Sequence, residues 1–172
     1  WVSNPLPQTT FYKSFASDVL LADLKNDNIY LQTETMNQLK RFIERLEQIH
    51  AFCFCHADLT ARNIIITAKG QPVPIDWSYS GYMHPAIDIA YLLYILLNQG
   101  FHQNAKVFYR IAAERYAGIG FDIASHIQYF LAMRFLEVAR VPTQRHKLKV
   151  AELILSESSI ESFLDKFQRG GN

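Results

Sequence analysis

Residues 86–97 read AIDIAYLLYILL, and this run constrains the fold more than any other part of the chain. It is apolar around its whole circumference at helical spacing. A helix here has no side to offer to water and must be enclosed by other elements. Its uninterrupted apolar part, Ile89 to Leu97, is nine residues long, well short of the ~20 that a bilayer-spanning helix needs. A buried central helix is the reading that remains. Its one charge, Asp88, sits near its start and requires a partner if it is buried with the rest.

The enclosing elements are legible as further helices. Phe11, Phe15 and Val19 with Tyr12, Ala16, Leu20 and Leu24 share one helix side, with Thr9 or Thr10 as cap and KNDN as the stop. Met36 to His50 carries a second apolar stripe, Met36, Leu39, Phe42, Ile43, Leu46 and Ile49, and Thr35 with Gln38 fits a capping box. Residues 104–117 and 121–139 read as amphipathic helices, the second closed by Pro142. Two more helices follow, divided near SESS. Pro5 and Pro7 make residues 1–10 a hinge-like extended arm.

Between the second helix and the central run the texture changes. Phe52 to Phe54, Asn63 to Thr67 and Val73 to Ile75 are short, apolar and partly β-branched, with AKGQP as a turn. The expectation is one mostly helical α+β domain over residues 1–172. A small central strand platform carries the loops of 51–88, and a helical subdomain follows over 104–172. Seventeen basic and sixteen acidic residues leave a net charge of +1, which argues against a nucleic-acid footprint. The local excess of Arg134, Arg140, Arg145, Lys147 and Lys149 reads as a solvated helix face. Two cysteines two residues apart make no disulfide framework, and WVSNPLPQ carries neither the basic nor the apolar part of a secretory signal. A cytoplasmic protein, with no nucleic-acid or membrane partner, is expected.

The polar residues among the strands are concentrated in FCFCHADLTARNIII, residues 52–66. His50, Cys53, Cys55 and His56 invite a zinc reading, but structural zinc sites use two separated ligand pairs and no second pair follows. His56, Asp58 and Asn63 form H-x-D-x-x-x-x-N, and Asp76 ends the next apolar run in PIDW. Two side-chain oxygens at neighbouring strand ends suit a hard divalent ion, which takes one or two protein oxygens and completes its shell with phosphate and water. A further carboxylate, Asp58, then positions a hydroxyl nucleophile. The same residue types are also ordinary turn and cap formers.

Taken in order, HADLTARNIII, PIDWSYSGYMHP and AIDIAYLL resemble the C-terminal lobe of the aminoglycoside phosphotransferase and choline kinase superfamily, a branch of the protein-kinase-like fold. The resemblance covers residues 51–97 and implies an ATP-dependent phosphotransferase acting on a small hydroxylated molecule. It implies Asp58 as catalytic base, and Asn63 and Asp76 as ligands of Mg2+ bridging the phosphates of ATP. His56 and Asp88 become structural supports of the loop, and Arg62 a contact to the transferred phosphate.

One part of that family's pattern is missing. No strand-rich ATP-clamping lobe precedes Thr35, and the first glycine is Gly70, so no Gly-rich phosphate loop lies before the motif. The expectation is a C-terminal lobe whose N-terminal partner lies upstream, with little turnover of its own. The alternative is a non-catalytic kinase-like binding module. A protein kinase is disfavoured because no A-P-E-like segment follows Asp76. In that family the helices after Asp88 set substrate choice. Here they offer Glu114, Asp122 and Glu137 beside Phe101, Phe108, Tyr109, Tyr116, Phe121, Tyr129 and Phe135, and most of these aromatics read as core at helical spacing.

Overall fold

The structure is a computed structural model that describes residues 17–47, 53–118 and 123–169. The element order is α1 (Ser17–Asn26), α2 (Thr33–Glu47), β1 (Cys53–Cys55), β2 (Ile64–Ile66), β3 (Pro72–Pro74) and β4 (Gly81–Met83), followed by α3 (Ala86–Asn98). Then come α4 (His102–Ala117), α5 (Ala124–Ala139), α6 (Lys147–Ser156) and α7 (Ile160–Arg169). Short 3-10 turns at Ala61–Asn63 and Pro142–Gln144 complete it. The domain is mostly helical with small antiparallel sheets, an α+β architecture. The arm of residues 1–10, the caps Thr9 and Thr10, the stripe from Phe11 to Ala16, and His50 lie outside the described residues.

The AIDIAYLLYILL run forms α3, which Pro85 precedes and Gln99 and Gly100 end. It packs between α4 and α5. The most enclosed helix, however, is α5. Ile127 to Met133 is buried without a break, and its one amide side chain, Gln128, is satisfied inside the fold. Gln128 Nε2 donates to the carbonyls of Ile154, at 2.7 Å, and Glu157, at 2.8 Å, at the end of α6. A residue so satisfied can face the core, so periodicity alone reads α5 as half-exposed. Leu24, Leu39, Ile154 and Phe163 bring α1, α2, α6 and α7 onto the same core.

Three expectations change. The capping box at Thr35 is not made: Met36 N–H already donates to the Gln32 carbonyl at 2.9 Å, so α2 starts earlier, and Gln38 Oε1 is buried without a partner. The single strand platform is instead two separate two-stranded sheets. β1 pairs with β4, with Cys53 opposite Met83 and Cys55 opposite Gly81, and β2 pairs with β3, with Ile64 opposite Pro74 and Ile66 opposite Pro72. Proline has no N–H to donate, so β3 accepts a neighbour on one side only and the sheet stops there. Of the basic residues after Arg134, Lys149 is exposed, but Arg140, Arg145 and Lys147 are held by partners and do not make a purely solvated face. Arg140 reaches back to Asp23 at 2.9 Å and Asp27 at 2.5 Å, Arg145 donates to the Asp27 carbonyl at 2.6 Å, and Lys147 bonds Asn98. Among the described residues no helix is long and apolar enough to cross a membrane.

Candidate active site

The site is built where β1 ends and α3 begins. Asp88, in the first turn of α3, accepts two successive backbone N–H groups of the loop after β1: His56 N–H on Oδ2 and Ala57 N–H on Oδ1, both at 2.8 Å. Between them the chain turns sharply, for Ala57 has φ 63° and is fully buried. A non-glycine residue in this left-handed region costs about 1–2 kcal/mol, which the charge-assisted bonds to Asp88 offset.

The His56 ring ties that loop to the strand before Asp76. Nε2 donates to the Ile75 carbonyl at 2.7 Å, and Nδ1 accepts the Asp58 N–H at 3.3 Å, so one tautomer serves both contacts. Trp77 packs on the ring with centroids 4.7 Å apart. From Asp58 the chain makes a compact turn, with Thr60 N–H donating to the Asp58 carbonyl at 2.8 Å. Asn63 closes it. Its Nδ2 donates to both the backbone oxygen and Oδ2 of Asp58, each at 2.9 Å.

Asn63 also fixes the position of Asp76. Ile75 N–H donates to the Asn63 carbonyl at 2.8 Å, extending the pairing of β2 with β3 to the residue directly before Asp76. Asp76 itself has φ 59° and is exposed. The hydroxyl of Ser78 donates to Asp76 Oδ1 at 2.5 Å and, with the Ser78 N–H, holds this carboxyl below the ordinary carboxylate range. Hydrogen bonds thus join Asp58 to Asn63 and Asn63 to Ile75, the residue directly before Asp76.

The donor chemistry suits a hard cation that brings its own oxygen ligands. Asn63 Nδ2 is committed to Asp58, which leaves the carbonyl Oδ1 for a cation, and Asp76 stays anionic. Among the described residues no three His, Cys, Asp or Glu side chains gather as a metal cluster. In the zinc set, Cys55 is buried against the Met83 carbonyl and the His56 ring is occupied by Ile75 and Asp58.

Arg62 is exposed on the 3-10 turn between Asp58 and β2. Of the aromatics on the substrate side, Phe108 and Tyr116 line one cleft beside Cys53 and Asp88, and Phe101 is exposed. Tyr109, Tyr129 and Phe135 are core, Glu114 is exposed beside Arg110 at 3.9 Å, and Glu137 is paired with Arg134 at 2.6 Å. Phe121 and Asp122 lie outside the described residues. Three residues of the motif segments to which the sequence assigned no role also shape the site. Ser78 fixes Asp76, and Trp77 braces His56. Tyr91, one turn beyond Asp88, has its hydroxyl pushed up by burial and by the charges of Glu137, Asp58 and Asp88. The Arg134 guanidinium covers its ring at 4.4 Å and that of Tyr94 at 5.4 Å. A serine two residues after an aspartate is a common turn partner and was the available signal for Ser78; Tyr91 reads as core at helical spacing.

Comparison with curated proteins and with solved structures gave no match. The family model for choline/ethanolamine kinase does match, over residues 8–167. That span includes every site residue above and nearly the whole fold, so the chain belongs to the choline/ethanolamine kinase family.

Proposed function

We propose that this chain is the catalytic and substrate lobe of a phosphotransferase that moves the terminal phosphoryl group of ATP to the hydroxyl of a small molecule. Choline and ethanolamine are the first candidate acceptors, from the name of the matching family, and an aminoglycoside the next. The observation that carries the reading is the bond from Asn63 Nδ2 to Asp58 Oδ2 at 2.9 Å, made by the same residue whose carbonyl accepts from Ile75 beside Asp76. In it, Asp58 orients the acceptor hydroxyl and takes its proton as the new O–P bond forms. Asn63 Oδ1 and the Asp76 carboxylate would hold Mg2+, which when bound neutralises phosphate charge. Asn63 also keeps the Asp58 carboxylate in one orientation before the acceptor arrives. His56 and Asp88 hold the backbone around Ala57, and Arg62, exposed on the 3-10 turn, would contact the transferred phosphate.

The test is phosphate transfer by the full-length protein with ATP and Mg2+, offered choline, ethanolamine or an aminoglycoside in turn. The expected result is a phosphorylated acceptor that forms only when both ATP and Mg2+ are present. Acceptor binding with no transfer to any of them would favour the binding-module reading instead.

A further inference from the structure

We propose that Cys53 and Cys55 form a redox-active dithiol, a thiol-modification site that takes low-molecular-weight disulfides of the glutathione class as its oxidant. The pair lies on β1, directly before the loop that Asp88 holds, and the phosphotransfer reading is not needed to argue it.

Strand geometry places residues two apart on the same face, with Cα atoms about 6.6 Å apart. That is close to the ~6.8 Å limit for a disulfide, and because the two Cβ vectors run side by side the strand must bend to bring the Cβ atoms to the ~3.5–4.5 Å of a bridge. The side chains already lean together, with the sulfurs in contact at 3.5 Å as free thiols. The two sulfurs differ in the way a nucleophile and a resolving thiol must. Cys53 is exposed and lines a cleft of about 530 Å³ with Phe54, Ile111, Arg115 and Tyr116, so a small disulfide has a way in. Cys55 is buried, with its sulfur against the Met83 carbonyl at 3.5 Å. The hydrogen bond between the sulfurs lowers the Cys53 thiol and raises that of Cys55, and burial raises Cys55 further. The thiolate is the attacking form, so Cys53 reacts first.

The chemistry balances with a disulfide RSSR as the oxidant. The Cys53 thiolate attacks one sulfur, the S–S bond breaks, and RS⁻ leaves a mixed disulfide on Cys53. Cys55 then attacks the Cys53 sulfur and its proton passes to the second departing RS⁻. Two protein thiols are oxidised by two electrons and one RSSR is reduced to two RSH. Closing the bond draws the sulfurs from 3.5 Å to about 2.05 Å on the strand that leads into His56 and Ala57.

The experiment exposes the native protein to glutathione disulfide, counts the free thiols of this chain, and maps the adducts by mass spectrometry without reduction. The expected result is loss of both thiols, with an internal Cys53–Cys55 link and no glutathione retained. Cys55→Ser should instead trap one glutathione on Cys53, and a reductant should restore both thiols of the unmutated protein. Persistence of both thiols, a stable adduct on Cys53 with Cys55 still free, or links between chains would each overturn the proposal. The unmutated protein alone decides this, so a Cys55→Ser variant that fails to fold leaves the test intact.

Discussion

The carboxylate of Asp88 accepts the N–H of Ala57 at 2.8 Å, and Ala57 is the residue at which the loop passes through the left-handed region, at φ 63°. A charge carried on the central helix therefore holds open the backbone turn that presents Asp58. The first sequence feature to constrain the fold and the first to suggest chemistry meet at this contact.

Asp88→Asn replaces one carboxylate oxygen by an NH2 group that cannot accept an N–H, so one of the two amides of His56 and Ala57 loses its partner. Loss of a hydrogen bond to a charged group predicts destabilisation by about 1.5–3 kcal/mol, measured by urea unfolding. Turnover of the variant should fall even where it remains fully folded. Unchanged stability and rate together would refute the role.

Arg140 joins the end of α5 to both Asp23 and Asp27 of the α1 region. These groups are about one-third exposed, so solvent screening keeps the effect small. Arg140→Ala should cost about 1 kcal/mol at low salt, and the difference should shrink as ionic strength rises. A salt-independent loss would point to packing of the side-chain stem instead.

Leu136 is fully buried on α5, the helix that packs against both α3 and α6. Leu136→Ala should cost about 2–5 kcal/mol in denaturant unfolding, because both transfer energy and a residual cavity contribute. A loss below about 1 kcal/mol would mean that α5 is not the centre of the core.

His84 is buried between β4 and α3 and stacks on His126 at 4.4 Å. Burial, with the neighbouring His126, pushes its imidazole from 6.5 down to about 3. Below pH 6.5 the unfolded chain binds this proton and the folded one does not until about pH 3. Stability from this group is therefore complete above pH 6.5 and falls as the pH drops through that window, by about 1.4 kcal/mol per pH unit. His84→Asn keeps an acceptor for the Ala86 N–H but cannot titrate, so the acid slope of an unfolding-versus-pH series should flatten.

Much of this arrangement was legible in the residues, because its parts are local. AIDIAYLLYILL has a single structural solution, and the helix breaks at Pro142 and SESS follow from backbone chemistry. The described ends of α5, α6 and α7 fall beside those breaks. His56, Asp58, Asn63 and Asp88 lie within one readable stretch with Asp76, and their spacing can be seen without coordinates. What was not legible depends on distant partners. β4, Gly81–Met83, holds a glycine and no β-branched residue, so it gives no strand signal, and it exists because β1 pairs with it. The burial of α5 depends on carbonyls of α6 and the residue after it. Cys53 and Cys55 look equivalent in sequence, yet one is exposed and the other enclosed. Arg140 and Arg145 read as part of a solvated face because their acceptors, on Asp23 and Asp27, are more than a hundred residues away.

The central claim rests on Asp58. It is tested most directly by comparing kcat of the full-length protein with that of Asp58→Asn, which keeps the size of the side chain and removes the proton acceptor. Loss of a general base predicts a fall of about 10²–10⁴-fold in Mg2+- and ATP-dependent phosphorylation of the acceptor, with an unchanged unfolding midpoint. A folded Asp58→Asn protein that turns over at close to the unmutated rate would contradict the account.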